Sequence, residues 1–386
     1  MVDAKKKALE VLKKKVEPVY IELAERVQPG LGKSKYYPWI LQRLMTTRQA
    51  KIALALPDVE RNPETDKLEV SEAFAGKLNL DRKTVNQDIH DLYEKGFIFP
   101  TRKGPQPPRN YDQWLDTQNN AKFDKALGQE YYTLIAMMCD EEIAKSREEE
   151  RVTRRIKVGQ LVSGRIIPRW KAIKDIPGVL PLEDMRAILN ANNLFAIAHC
   201  ACRKRYKEGN CGVPEDLCLL IGRNAEYNIG RGSARQITRE EAFDLINNET
   251  VKYPVVHVGS RNTEPQNLGL ICNCHGCCCE VLRKPMVLGS EYPVWEFYAK
   301  SRFRTGVDPA KCIGCGLCVS KRCQFGAAQM KFYPEYEAER AWIDEAKCMG
   351  CGCCVETCSS GARGMRIVEP PDPETASTQA GPYVRT

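Results

Sequence analysis

The spacing of apolar residues predicts helices in the N-terminal part of the chain. Apolar side chains recur at helical intervals over residues 40–54, and shorter amphipathic stretches over 70–78 and 82–95 predict two more helices. Gly96 is a typical helix stop. The apolar segment FIFP, which follows it, predicts a strand before the turn-rich TRKGPQPPRN. Residues 1–16, with six lysines, predict a short basic helix.

Three helices followed by a strand and a turn resemble a winged helix. In a DNA reader of that kind the third helix enters the duplex, and its exposed face is basic. Here the positions expected to be exposed mix both signs: Asp81, Arg82, Lys83, Asn86, Gln87, Asp88, Asp91 and Glu94. We therefore favour docking to a protein over binding to DNA for this part of the chain.

The remaining patterns predict an α+β multidomain protein. Residues 1–111 hold the basic helix and the winged-helix-like domain, and 112–164 form a helical connector. In residues 165–300 helical segments alternate with extended apolar runs such as LFAIA and YPVVHV, which predicts a small cysteine-rich α+β domain. Residues 301–368 contain a tandem repeat, and the proline-rich start of 369–386 predicts a flexible tail.

Composition indicates a globular protein. Of the 386 residues, 43% are hydrophobic and 28% are charged. Neither a run of apolar residues long enough to span a bilayer nor a secretion signal is evident, so we expect a cytoplasmic protein without a membrane span. The formal charge is +8. Each thiolate-bound [4Fe–4S] core would add roughly −2, so this charge is weak support for nucleic-acid binding.

Cysteine content changes the picture most. The chain has 19 cysteines, and all but Cys139 lie after residue 199. Disulfides are rare in the cytoplasm, so a cysteine-dense chain there is better interpreted as metal-binding. Cys139, which lies on an apolar stretch, is expected to be a buried core thiol.

The tandem repeat carries the strongest motif. Its halves, CIGCGLCVSKRC and CMGCGCCVETC, each contain C-x-x-C-x-x-C with a fourth cysteine downstream. This resembles the bacterial two-cluster ferredoxins, in which three cysteines of one run and the last of the other hold each [4Fe–4S] cluster. The resemblance implies two ligand sets: Cys312, Cys315, Cys318 and Cys358 for the first cluster, and Cys348, Cys351, Cys354 and Cys323 for the second.

The repeat departs from that family's pattern in three ways. Four residues, rather than three, separate Cys318 from Cys323. Gln324 and Ser359 stand where proline is usual. Cys353 is an additional thiol, which we expect to face away from the cluster.

Nine cysteines of the middle domain remain: Cys200, Cys202, Cys211, Cys218, Cys272, Cys274, Cys277, Cys278 and Cys279. Their C-x-C pairs and triple cysteine are unlike the usual zinc spacing and favour iron–sulfur clusters. The first four could hold one cluster and four of the last five another. Alternatively, each segment could provide ligands to both clusters. In an extended chain the first and last cysteines of the triplet would face one side. His275 could bind iron, but we expect His275 and His199 to donate hydrogen bonds to sulfur.

HCACR at 199–203, CNCHGCCC at 272–279 and the repeat together resemble a group of iron–sulfur proteins from anaerobic microbes. That resemblance implies a non-catalytic electron-transfer component with two to four [4Fe–4S] clusters, whose donor and acceptor are oxidoreductase subunits. The N-terminal domain would dock it, and no catalytic residue is assigned. Two alternatives remain: a redox-sensing winged-helix regulator of DNA, and an enzyme with an open-site cluster in the middle domain.

Overall fold

The computed structural model describes residues 2–56, 68–101, 104–143, 164–206, 212–260 and 264–371. Its first part is a helical body with one short hairpin. The helices are α1 Val2–Val11, α2 Pro18–Val27, α3 Tyr37–Leu44, α4 Thr47–Ala55, α5 Glu72–Lys77, α6 Arg82–Glu94, α7 Tyr111–Asp116 and α8 Asp124–Met138. The hairpin pairs β1 Phe99–Thr101 with β2 Gly104–Gln106 in antiparallel register.

The single helix predicted over 40–54 is wrong, because the chain starts a new helix at α4. Thr46 is extended and caps α4, accepting a hydrogen bond from the Gln49 backbone while the Gln49 side chain caps Thr46 in return. The other two predicted helices match α5 and α6.

The expectation that Asp88 is exposed is also wrong. It is buried and forms an ion pair with Arg48, whose Nε lies 2.6 Å from Asp88 Oδ2. Hairpin and helices follow one another as in a winged helix, and that likeness stays a prediction.

One hydrophobic core spans the described part of residues 2–143. Leu23, Ile40 and Ile89 from the first helices pack in the same core as Trp114 and Tyr131, which belong to the predicted connector. The domain boundary predicted at residue 111 remains a prediction, although α7 and α8 share the core of the helices before it. Most of the rest of the connector, and the tail beyond residue 371, lie outside the described residues.

The middle of the chain forms a mixed seven-stranded sheet in the order β6-β4-β5-β8-β7-β3-β9. Its strands are β3 Gly164–Ile167, β4 Phe195–Ala198, β5 Cys218–Ile221, β6 Ala234–Ile237, β7 Val256–Ser260, β8 Leu270–Cys274 and β9 Tyr298–Ala299. The helices between them are α9 Trp170–Ile173, α10 Met185–Asn190, α11 Ala201–Arg205, α12 Arg223–Gly230, α13 Arg239–Asp244 and α14 Glu280–Met286. Among the strands that the structure describes, β3 and β9 pair in parallel, and the other neighbours in this sheet pair antiparallel.

The C-terminal part consists of two antiparallel strand pairs and a short helix. β10 Phe303–Val307 pairs with β13 Arg363–Ile367, and β11 Ala328–Tyr333 pairs with β12 Ala338–Ile343. The short helix α15 spans Cys353–Glu356. The cysteine loops connect these strands.

The helical body packs against the middle sheet through α12. The Phe99 ring stacks on Tyr227 with their centroids 4.9 Å apart, and the Tyr227 hydroxyl donates to the Ile98 carbonyl at 3.0 Å. Arg231, which is 1% exposed, donates to the Thr117 carbonyl at 2.6 Å. The hairpin therefore contacts this chain's own middle segment. In the part of the chain that the structure describes, no helix is long and apolar enough to cross a bilayer.

Candidate iron–sulfur centres

The first ferredoxin ligand set converges on one pocket. Cys312, Cys315, Cys318 and Cys358 all line it, so three thiols of the first run face the last cysteine of the second, as the resemblance implies. The apolar side chains Val307, Ala341 and Ala362 complete much of the wall. Cys354 of the second predicted set also lines this pocket, so the division of the thiols into two ligand sets remains a prediction.

Hydrogen-bond donors also point at these sulfurs. The Ala341 N–H donates to Cys312 Sγ at 3.3 Å, and Arg363 Nη2 donates to Cys318 Sγ at 3.0 Å. Arg363 is 5% exposed, and its Nε and Nη1 have no hydrogen-bond partner among the described residues. Buried N–H groups without acceptors are costly. Acceptor sulfurs in this pocket would satisfy them.

The second ligand set lies beside the first. Thr305 Oγ1 is 4.0 Å from Cys348 Sγ and 3.7 Å from Cys354 Sγ. Burial raises the pKa of Cys354 to about 12, with smaller contributions from neighbouring thiols that include Cys323. The thiol of Cys351 is likewise close enough to Cys354 for electrostatic interaction. These pairwise contacts link the four thiols to one another, and their ligand roles remain a prediction.

A single hairpin supports both sets. From β11 the Ala328 N–H donates to Cys323 Sγ at 3.4 Å, and from β12 Ala341 donates to Cys312 as described above. Donors to cluster sulfurs tune reduction potential, so this hairpin would act on both clusters.

Cys353 contacts the middle sheet. Arg169 Nε donates to its sulfur at 3.3 Å, and the thiol donates to the Val255 carbonyl at 3.3 Å. A hydrogen bond with the Cys351 thiol is the largest cause of its pKa, which is lowered to about 6. Arg169 is fully engaged, since it also bonds Glu356 at 3.0 Å and the Val255 carbonyl at 2.9 Å. This arginine fastens the second cysteine loop to the sheet.

The sheet brings thiols from three segments to one end. Ala198 at the end of β4 pairs with Cys218 at the start of β5. β5 neighbours β8, which ends at Cys274, and Cys272 lies two residues earlier on the same face of the strand. Cys200, just beyond β4, lies at the start of α11. Antiparallel pairing is therefore what collects these cysteines.

Six middle thiols form a connected group, which we call the middle thiol group: Cys200, Cys202, Cys218, Cys272, Cys274 and Cys279. Cys218 and Cys274 both hydrogen-bond Cys272 and lower its pKa well below the ordinary value, while Cys274 also bonds Cys279. Cys200 bonds Cys202 and lies within electrostatic reach of Cys272.

Cys277 and Cys278 are arranged differently from the middle thiol group. The prediction of an extended run through the triple cysteine is wrong, because the His275 carbonyl accepts hydrogen bonds from the N–H groups of Cys278 and Cys279 and closes a turn. His275 Nδ1 lies 3.0 Å from Cys277 Sγ, so this histidine contacts sulfur as expected. Cys278 is buried.

Two further residues predicted to lie near the clusters are His199 and Cys211. His199 Nδ1 lies 3.7 Å from Glu215 Oε2, so the nearest charged partner of this histidine is a carboxylate. Cys211 is outside the described residues.

The basic residues after Cys202 are buried, so they do not form a docking surface for an acidic partner. Arg205 is 2% exposed and donates to Cys202 Sγ at 3.1 Å and to Glu280 at 3.2 Å. Arg203 lies between thiols, and its charge favours the thiolate forms of Cys200 and Cys272. These guanidinium groups instead offset negative charge inside the protein.

The residues present fit iron–sulfur clusters in the C-terminal repeat. Thiols converge, backbone N–H groups point at sulfur, and buried guanidinium donors lack acceptors. No three histidine, cysteine, aspartate or glutamate side chains in the described ranges are placed to bind a single metal ion. A four-iron core is wider than one ion and needs a larger spacing of its thiolates.

Comparison with known proteins agrees for this part of the chain. No curated protein and no solved structure matches the chain. Residues 311–362 match the family described as a 4Fe-4S dicluster domain. Residues 311–362 therefore form a ferredoxin-type iron–sulfur domain.

Proposed function

We propose that the chain is an electron-transfer protein that relays single electrons between its ferredoxin-type domain and further iron–sulfur sites in the middle sheet. Its donor and acceptor would be larger oxidoreductase subunits. Bound [4Fe–4S] clusters supply one-electron redox chemistry. Each electron accepted from a donor leaves to an acceptor, so the chain itself undergoes no net change.

One observation carries this proposal: the thiols of the two parts share an apolar cluster. Cys274 and Cys279 of the middle sheet pack together with Cys351, Cys353 and Tyr298. Water is excluded from this contact, because these residues are largely buried. Iron–sulfur sites whose thiols pack together and are shielded from water favour exchange of electrons within the chain over loss of electrons to solvent.

We further propose that the middle ligand sets are crossed between segments. Cys218 hydrogen-bonds Cys272, and Cys200 interacts with Cys272, so neither segment stands apart. The middle thiol group supplies enough ligands for one cluster of four thiolates. A second cluster would need further ligands from Cys211, Cys277 or Cys278.

For the helical body we propose a packing and docking role rather than DNA recognition. The residues with high exposure on α6 are Lys83, Gln87 and His90, and the capping residue Asp81 is exposed too; of these four, Lys83 alone carries a fixed positive charge. Duplex readers present a basic face. Salt-sensitive binding to duplex DNA in a gel-shift experiment would contradict this part of the proposal.

Iron and sulfide analysis of anaerobically purified protein tests the relay. The ferredoxin domain accounts for about eight irons, so a total of about 12 to 16 supports clusters in the middle sheet. Cys272→Ser should remove about four irons while leaving the ferredoxin EPR signals in place. Cys139→Ala is the matched control, because Cys139 is buried beside Tyr111 in the helical core, outside the middle thiol group.

Two results would contradict the proposal. One is an iron content of about eight or fewer in the wild-type protein, which would leave no cluster for the middle sheet. The other is a Cys272→Ser variant with the iron content of the wild-type protein, because Cys272 is the thiol that joins the others.

A further inference from the structure

Gln324 joins the two iron–sulfur parts of the chain. It directly follows Cys323, a predicted ligand of the second ferredoxin cluster. Its Nε2 donates to the Cys274 carbonyl at 3.2 Å and to the Pro254 carbonyl at 3.0 Å. Its Oε1 accepts from the Gly276 N–H at 2.7 Å. One side chain therefore bonds the middle cysteine loop on both sides of His275.

The loop that Gln324 contacts has little room to move elsewhere. A Cβ at Gly276 would come within 2.4 Å of Met286 Cε and 3.4 Å of Gln324 Oε1, so the loop passes closely between these two side chains. The nearer of these contacts is with the flexible end of the Met286 side chain. The amide of Gln324 is thus seated in a complementary position rather than on an open surface.

The chemistry of this position explains a departure from the ferredoxin pattern. Proline is usual after the last cysteine of such a run, and a proline side chain can neither donate nor accept a hydrogen bond. The second run departs in the same way with Ser359, which is exposed. Gln324 bonds the middle segment, whereas Ser359 has no hydrogen bond to that segment within the described part of the chain.

We infer that Gln324 is a positioning residue that couples the second ferredoxin cluster to the middle thiol group. Its hydrogen bonds hold the backbone of Cys274 against the residue next to Cys323. This is a short bonded connection between the two sites, running through Cys323, the Gln324 amide and Cys274. The inference rests on the proposed relay and adds the residue that sets its internal contact.

Two measurements on the anaerobic holoprotein test it, with Gln324→Met as the variant. Methionine keeps the length of the side chain and removes its hydrogen bonds. Deuterium uptake by a peptide spanning Gly276 should quicken by about tenfold, because the amide loses its acceptor. After pulsed photoreduction by deazaflavin, freeze-quenched EPR should show transfer from the ferredoxin clusters to the middle clusters slowed by roughly tenfold.

Ser359→Pro is the matched control, since it alters the equivalent position of the other run. It should leave both rates within about twofold of wild type, a change smaller than one hydrogen bond would produce. Gln324→Pro, which restores the usual ferredoxin residue, should behave as Gln324→Met. Iron content should be equal in all four proteins, which excludes cluster loss as the cause.

Each other outcome overturns the inference. Unchanged deuterium uptake would mean that Gln324 does not hold the loop. Faster uptake with unchanged electron transfer would mean that it holds the loop without coupling the clusters, and the relay would stand. A wild-type iron content without middle clusters would overturn the relay itself, and this result is recognised before any variant is made.

Discussion

Replacing Arg363 by glutamine should lower the reduction potential of the first ferredoxin cluster. The guanidinium is buried, and its Nη2 lies 3.0 Å from Cys318 Sγ. Its charge also acts on Cys354 of the second ligand set, so both clusters should respond. Reduction adds negative charge to a cluster. Removal of a nearby positive charge therefore disfavours the reduced state.

The size of the shift follows from Coulomb's law. If the added electron lies about 6 Å from the guanidinium, an effective dielectric constant of about 20 gives about 3 kcal/mol. For a one-electron couple this is about 120 mV. Solvent and counter-ions reduce the effect, so we expect a shift of roughly 50–120 mV towards negative values.

Dye-mediated redox titration followed by EPR measures this shift. Arg366→Gln is the matched control, because Arg366 lies on the same strand but is exposed and pairs with Glu345 at 2.6 Å. It should change the potential by less than about 20 mV, since exposed charges are screened. A potential in Arg363→Gln that is unchanged, or more positive, would refute the electrostatic reasoning.

Three further predictions concern stability and iron content. Burial, and then the charge of Arg169, lower the pKa of His257 to about 3, so protons bind the unfolded chain first as pH falls below about 6.5. The wild-type protein should therefore lose about 2 kcal/mol more stability between pH 7 and 5 than the His257→Gln variant. Equal falls in the apparent melting temperature of the two proteins would contradict this. Arg169→Met should cost about 3 kcal/mol, measured by thermal unfolding, because buried Glu356 would keep only the more distant cation Lys171, at 3.9 Å, among the described residues. Gly350→Ala should lower iron content, because the new Cβ would lie 2.1 Å from Ser301 Oγ at a φ of +69°; full iron loading would contradict it.

Much of the iron–sulfur chemistry could be predicted from the sequence. Ligand spacing in the repeat is local, and a compact cubane restricts it, so Cys312 and its partners were recognisable. Strand ends beside Cys200 and Cys272 could also be anticipated from alternating apolar runs. What could not be anticipated depends on contacts distant in sequence. The approach of Arg169 to Cys353 is of this kind, since no local pattern indicates which loop a buried arginine fastens.

The triple cysteine illustrates a different limit. Strand alternation predicted that the first and third thiols would face the same side, but a turn replaces the strand after Cys274. The His275 carbonyl closes the turn, and within it the Gly276 N–H donates to Gln324 Oε1. The sequence shows that residue 324 is not the usual proline, but it does not show which groups hydrogen-bond the Gln324 side chain.

The way the sheet gathers its cysteines has a consequence for maturation in the cell. Thiols of the C-terminal repeat are close in sequence, so that part can receive iron and sulfide almost as soon as it leaves the ribosome. Cys200, Cys218 and Cys272 meet only after β4, β5 and β8 have paired. Metal loading and folding are then a single event in the middle sheet. When iron is limiting, the C-terminal repeat should accordingly be loaded first, which leaves newly made chains with an immature, protease-sensitive centre.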